Sequence, residues 1–185
     1  MRKLIALFAV TVVAASALAQ GTVNFNNNVW ETTTPRRVMD FGGVAPLVGT
    51  DYVAQLYFGT AGAADNSLVA VGGVARFRVG TTSQPGTWSG GTRTLTGITA
   101  GQTARLQVRV YNATLFPAGY DAAVTGGGFR AASTAFDYTV PSGGTPAPNE
   151  FWMANFSGFT LVPEPSTIAL GVLGLAGLLF IRRRK

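Results

Sequence analysis

Between Gln20 and Val162 the chain carries little with which to do chemistry. It has no histidine and no cysteine, which removes the commonest general base, the commonest metal ligand and every thiol reaction. The acids there are Glu31, Asp40, Asp51, Asp65, Asp121, Asp137 and Glu150. They are too scattered to nominate an acid–base pair from spacing, although a glycosidase-like pair can assemble from distant residues. No G-x-S-x-G, Walker A or H-E-x-x-H motif occurs. Asp51 and Asp65-Asn66 offer the oxygen ligands that Ca²⁺ takes, but an acid in a Gly-rich loop ordinarily shapes a turn. Trp88, Tyr111, Tyr120 and Trp152 either stack on sugars or fill a core. Asn112-Ala113-Thr114 and Asn155-Phe156-Ser157 match the glycosylation sequon, read here as coincidence. No catalytic residue, cofactor or metal site is expected.

The chemistry that the sequence does specify is done to it, at its two ends. Arg2 and Lys3 open a basic n-region, residues 4–13 form an apolar h-region, and Ala17-Leu18-Ala19 is an A-x-A cleavage site. The alternative is an N-terminal membrane anchor. The short h-region and the small side chains of Ala17 and Ala19 favour a signal peptide over residues 1–19, cut by signal peptidase to leave Gln20 first. At the other end, Val162-Pro163-Glu164-Pro165 places two prolines around one acid. Each proline biases the residue before it, Val162 and Glu164, away from helix. Proteases grip extended substrates, so this stretch has the form of a processing site.

Residues 168–181 follow without a charge, and Arg182, Arg183, Arg184 and Lys185 close the sequence. Fourteen apolar residues are short of the ~20 that a membrane span needs. Pro165 suits the first turn of a helix, however, and a helix over 165–182 measures about 27 Å. That crosses a thin bilayer with the basic side chains snorkelling to the far interface. A buried core helix is the alternative, but a uniformly apolar core helix would rarely run straight into four cations. The basic cluster sets topology, because Arg182 to Lys185 stay cytoplasmic under the positive-inside rule. A cleaved signal peptide independently puts the other end outside.

Residues 162–185 resemble the PEP-CTERM sorting signal of Gram-negative bacteria. The matching parts are Val162-Pro163-Glu164-Pro165, Ser166-Thr167, the Ala169-Leu170 and Gly174-Leu175 pairs, and the terminal Arg182-Arg183-Arg184. The resemblance implies recognition by an exosortase, a membrane-embedded cysteine transpeptidase-like enzyme, with cleavage near the motif. It also implies an organism that makes exopolysaccharide and forms biofilms or flocs. The full chain is then a cytoplasmic-membrane-anchored intermediate with its C-terminus inside, and the processed form is at the cell surface or extracellular.

Net charge is +6, which would suit nucleic acid, but six of the 14 basic residues sit at the ends. The body carries eight arginines against seven acids and is nearly neutral, so no nucleic-acid partner is expected. Residues 20–161 should form one extracytoplasmic domain, all-β, an antiparallel β-sandwich of jelly-roll-like form. The signal is period-two alternation. Leu106, Val108 and Val110 face one way and Arg105, Gln107 and Arg109 the other. Ala75, Phe77 and Val79 oppose Arg76 and Arg78, and Phe136, Tyr138 and Val140 oppose Asp137 and Thr139. Strands are also expected around Leu56 and Phe25, and a last one in "FWMANFSGFTLV". Turns are expected at Asn26-Asn27-Asn28, Gly42-Gly43, Gly72-Gly73, Gly90-Gly91, Gly126-Gly127-Gly128 and Gly143-Gly144.

The expected function is a non-enzymatic surface or extracellular-matrix protein, sorted through its tail and linked to exopolysaccharide. The alternative is a carbohydrate-binding module that uses exposed aromatics; an exported hydrolase ranks third. The N-terminal reading has a direct check. Edman sequencing of the exported protein should read Gln-Gly-Thr-Val, and a retained Met1 would refute the cleavage site.

Overall fold

The stretch Thr103–Asn112, "TARLQVRVYN", alternates for its whole length and becomes the strand on which the sheet is built. The computed structural model describes residues 20–27, 36–79, 84–141 and 152–162. Its strands are β1 (Gln20–Asn26), β2 (Tyr52–Thr60), β3 (Val69–Arg76), β4 (Ser89–Thr99), β5 (Thr103–Asn112), β6 (Arg130–Ala132) and β7 (Phe136–Thr139). Among the described residues helix is confined to one 3-10 turn at Asp65–Ser67 and one short helix, α1 (Tyr120–Thr125). Every strand pairing is antiparallel.

Five strands make one sheet in the order β3-β2-β5-β6, with β7 also on β5, and β1 pairs with β4 in a second. β2 and β5 pair from Tyr52↔Asn112 to Thr60↔Ala104 without a shift. On the other edge of β5, β6 takes the Arg109–Tyr111 end and β7 the Thr103–Leu106 end. The two sheets share one core. Val23 and Phe25 of β1 and Leu95 and Ile98 of β4 meet Leu56 of β2 and Leu106, Val108 and Val110 of β5.

Trp88 stands in that core, wholly buried. Its ring is 5.3 Å from Phe25, 5.5 Å from Phe77 and 5.7 Å from Phe156, centroid to centroid. Its indole N–H has no acceptor among the described residues. Burial outweighs this: about 150–250 Å² at about 25 cal/mol/Å² is worth roughly 4–6 kcal/mol, against about 1–3 for an unpaired donor.

The inward set Leu106, Val108 and Val110 is fully buried as expected. The opposite face of β5 departs from the expectation. Gln107 is 6% exposed, and Arg109 is half-buried. The Gln107 side chain bonds the Ser133 carbonyl and the Arg109 guanidinium, and beside Arg109 a second small core lies on the outer face of the sheet, where Val53 and Tyr111 pack against Ala123 of α1, with Phe116 and Tyr120 at its edge. The Arg109 guanidinium lies 4.0 Å from the Tyr57 ring centre and 5.3 Å from that of Tyr120. Burial raises the Tyr57 phenol above its ordinary pKa, with the Arg109 charge acting in the opposite sense.

Other differences have local causes. Ala75 and Phe77 are buried but Val79 is 46% exposed, because the strand ends at Arg76 and only Phe77 still bridges, to Trp88. Gly72-Gly73 lies within β3 and Gly90-Gly91 within β4, not in turns. A Cβ on Gly90 would sit 2.4 Å from the Phe25 ring, and one on Gly72 2.5 Å from Arg93. These glycines let layers approach instead of reversing the chain. Asn26 belongs to β1 and Asn27 is fully buried. The segment "FWMANFSGFTLV" contributes isolated bridges rather than a regular strand. Gly143-Gly144, the signal peptide over 1–19 and the membrane helix over 165–182 lie outside the described residues. Among the described residues no helix is long and apolar enough to cross a membrane.

The two faces of β5 give a graded test. Val108→Asp places an unpaired charge in the main core and should cost roughly 3–5 kcal/mol, a large share of a typical domain's stability. Arg109→Asp should cost less, through lost stacking on Tyr57 and Tyr120. Arg105→Gln, which removes one exposed ion pair to Asp65 at 3.2 Å, should cost under about 1 kcal/mol. Denaturant melts rank the three, and equal losses at Val108 and Arg105 would contradict this facing of the strand.

Candidate functional site

The stretch that the sequence singles out is Val162-Pro163-Glu164-Pro165, so the candidate site is the place where the folded body reaches it. Residues 152–162 run along the body edge and are held from four directions. Arg36 is 5% exposed. Its Nη2 donates to the carbonyls of Trp152 and, at 2.8 Å, Met153, and its guanidinium lies 5.8 Å from the Phe156 ring centre. Met153 takes a positive φ of 51° and its carbonyl accepts the Phe156 N–H. This turn drives Phe156 inward, against Trp88, Phe136 and Phe159.

The chain then runs beside Met39. The Met39 N–H donates to the Phe159 carbonyl at 2.9 Å, and the Leu161 N–H donates to the Met39 carbonyl at 3.1 Å. Leu161 is buried. Val162 is 61% exposed, and its N–H donates to the Arg130 carbonyl at 3.2 Å. Leu161 is thus the last core side chain, and Val162 supplies the last described backbone bond. Pro163 and Pro165 have no N–H with which to extend that ladder. The extended Val162 matches the sequence expectation. Pro163, Glu164, Pro165 and the basic cluster Arg182, Arg183, Arg184 and Lys185 lie outside the described residues, as do Ala17 and Ala19.

Arg36 was not legible as an anchor, since nothing in "RRVMDF" distinguishes it from Arg37. Asn27 was read as a turn residue, yet it is a buried hub. Its Nδ2 donates to the Arg36 and Gly86 carbonyls at 2.9 and 3.0 Å, and its Oδ1 accepts the Trp88 N–H at 2.7 Å. One amide therefore holds β1, the Arg36 segment and the Trp88 segment together.

The remaining candidates are dispersed. The Asp51 carboxylate accepts the Thr114 hydroxyl at 2.9 Å, and Asp65 pairs with Arg105. The two acids are at opposite ends of β2. Among the described residues no group of three acids could hold a metal. Trp88 and Tyr111 are buried, and Tyr120 and Trp152 are half-buried, so the four rings present no open stacking row. The Asn112 side chain accepts the N–H groups of Thr114 and Leu115, and Asn155 donates to the Asp137 carbonyl. Both sequon asparagines shape turns and edges. A pocket of about 490 Å³ beside Tyr138, Val140 and Asn155 has no carboxylate among the described residues of its lining.

Neither the curated proteins nor the solved structures contain a match to this chain. A family model does match, the PEP-CTERM protein-sorting motif, over residues 161–185. It begins at the last buried side chain of the body. The chain therefore carries a PEP-CTERM protein-sorting motif, the mark of an exported protein sorted through an exosortase.

Proposed function

We propose that this chain is a non-enzymatic surface or extracellular-matrix protein, a β-sandwich delivered through a transient membrane stage and linked to the exopolysaccharide that its tail implies. The observation that carries the reading is the junction: the sorting motif starts where the body's core and its described backbone ladder stop. Leu161 is the last described core side chain, so a cut beyond it leaves every described core side chain with the body. The described acids with side-chain contacts support a structural role, since Asp40, Asp51 and Asp65 each engage a separate partner. The carbohydrate-binding reading keeps one feature of its own, the Arg109 guanidinium between Tyr57 and Tyr120.

On this reading the two processing events fall at opposite ends of the body. Gln20 pairs with Thr99, beside the β4–β5 turn. Val162 bonds Arg130, which pairs with Tyr111 near the other end of β5. The two ends of the body are thus about 30 Å apart along a ten-residue strand. Cutting after Ala19 frees the far end, and the 162–185 tail then holds the body by the near one, C-terminus inside.

Mass spectrometry of the surface form should find no peptide through Lys185; its survival there would make the tail a permanent anchor. Pro163→Ala with Pro165→Ala should slow processing while insertion persists, because helix can then extend into the site. Changing Arg182, Arg183 and Arg184 to Asp should instead disturb topology.

A further inference from the structure

Of the ten large apolar side chains that stand exposed among the described residues, five are drawn from segments at the end from which the tail leaves, whereas Val69 lies at the other end, opposite Phe58 of β2. Phe41 is 58% exposed, Val44 88%, Leu115 68%, Phe129 45% and Val162 61%. They come from separate loops. Phe41 and Val44 occupy the tip of the 39–46 hairpin, closed by the Met39–Pro46 bridge and turned by Gly42 and Gly43 at φ of 92° and 70°. Phe129 precedes Arg130, the residue that Val162 bonds, and its ring lies 5.8 Å from that of Phe41. Leu115 follows Asn112, the last residue of β5. The Thr160 side chain reaches the Gly43 position of the tip, so the patch and the exit strand are continuous.

We propose that this end docks on the lipid surface of the cytoplasmic membrane while the tail is uncut. The proposal rests on the reading of 162–185 as a membrane-inserted tail. Six residue steps separate Val162 from Ile168, where the apolar run begins, and an extended chain covers at most about 20 Å in that distance. The patch cannot leave the neighbourhood of the headgroups. Exposed aromatic and aliphatic side chains at that range partition into the outer 5–10 Å or so of the interface. The tip is suited to it: the Asp40 N–H and the Ala45 carbonyl bond each other, Gly43 N–H reaches the Asp40 carbonyl, and the Asp40 carboxylate accepts the Ala45 N–H. Asp51, a second acid of this end, is bonded to Thr114, and Asp121 stands on α1 beside it. Docking holds the scissile segment at one height above the bilayer.

The chain has no cysteine, so Val44→Cys and, at the far end of β2, Ala61→Cys each give one attachment point for an environment-sensitive fluorophore. The form to use is the signal-cleaved, tail-retaining protein, purified from membranes of cells without exosortase. It is reconstituted in phosphatidylethanolamine–phosphatidylglycerol vesicles that contain a headgroup-proximal spin-labelled lipid. Flotation with the vesicles tests the tail by itself, and its failure would remove that reading and the docking with it. Given flotation, the probe at Val44 should be quenched roughly threefold more than the probe at Ala61. Phe41→Ser with Phe129→Ser, both at exposed positions, should abolish the difference while the protein still floats. Equal quenching at Val44 and Ala61 overturns the docking and leaves the tail reading intact, and so does quenching at Val44 that the double variant leaves unchanged. Shielding of Val44 from aqueous iodide only after exosortase is added, with no lipid quenching, would assign the patch to a protein partner and likewise overturn the proposal.

Discussion

Trp88 is where three distant parts of the chain meet. Phe25 reaches its ring from β1, Phe77 from the end of β3 and Phe156 from the segment that leads to the tail. Its own backbone N–H is taken by Asn27, which also holds the carbonyl of Arg36, and Arg36 in turn holds Trp152 and Met153. The path from the first strand to the tail exit therefore runs through one indole, one amide and one guanidinium. Removing the ring would open a cavity and free Phe156, so the loss would fall on the junction as well as on the core. A cavity of that size costs roughly 3–5 kcal/mol, which is comparable to the whole stability of a marginal domain.

The sequence carried this architecture unevenly. Strands with one buried face announced themselves, as in Leu106-Gln107-Val108, because period two survives when a single layer covers them. The outer face of β5 was misjudged for the same reason. Polar residues such as Gln107 and Arg109 signal solvent only if nothing else engages them, but Gln107 bonds the Ser133 carbonyl and Arg109 stacks on Tyr57 and on Tyr120 of α1. Glycine pairs were read as reversals, whereas Gly72 and Gly90 serve close packing against Arg93 and Phe25. No local pattern separates those two uses, since the deciding neighbour is far along the chain. The buried anchors Asn27 and Arg36 were hidden likewise, because a polar residue that is satisfied by distant carbonyls has no sequence period.

The tail is the reverse case. Its meaning is linear: an extended Pro-rich stretch, an apolar run and a basic end, in that order. Physical constraints on membrane crossing act on length and charge along the chain, so they are written in consecutive residues. The folded body adds the starting point. Val162 is bonded and exposed, Leu161 is bonded and buried, and no flexible spacer lies between the core and the first proline.

That missing spacer has a consequence for how the body and the membrane share space. A long linker would let the domain tumble freely, and the orientation of the cut site would be averaged over many poses. Here Leu161 is fixed in the core, and the Met39 carbonyl and the Arg130 carbonyl fix the direction in which the chain leaves. Pro163 and Pro165, whose rings fix φ, follow directly in the sequence. The body and its exit strand are therefore coupled in orientation. On the proposed membrane stage the Phe41–Phe129 end would meet the lipid because the chain leaves from that end, and the far end, where Gln20 begins β1, would point away.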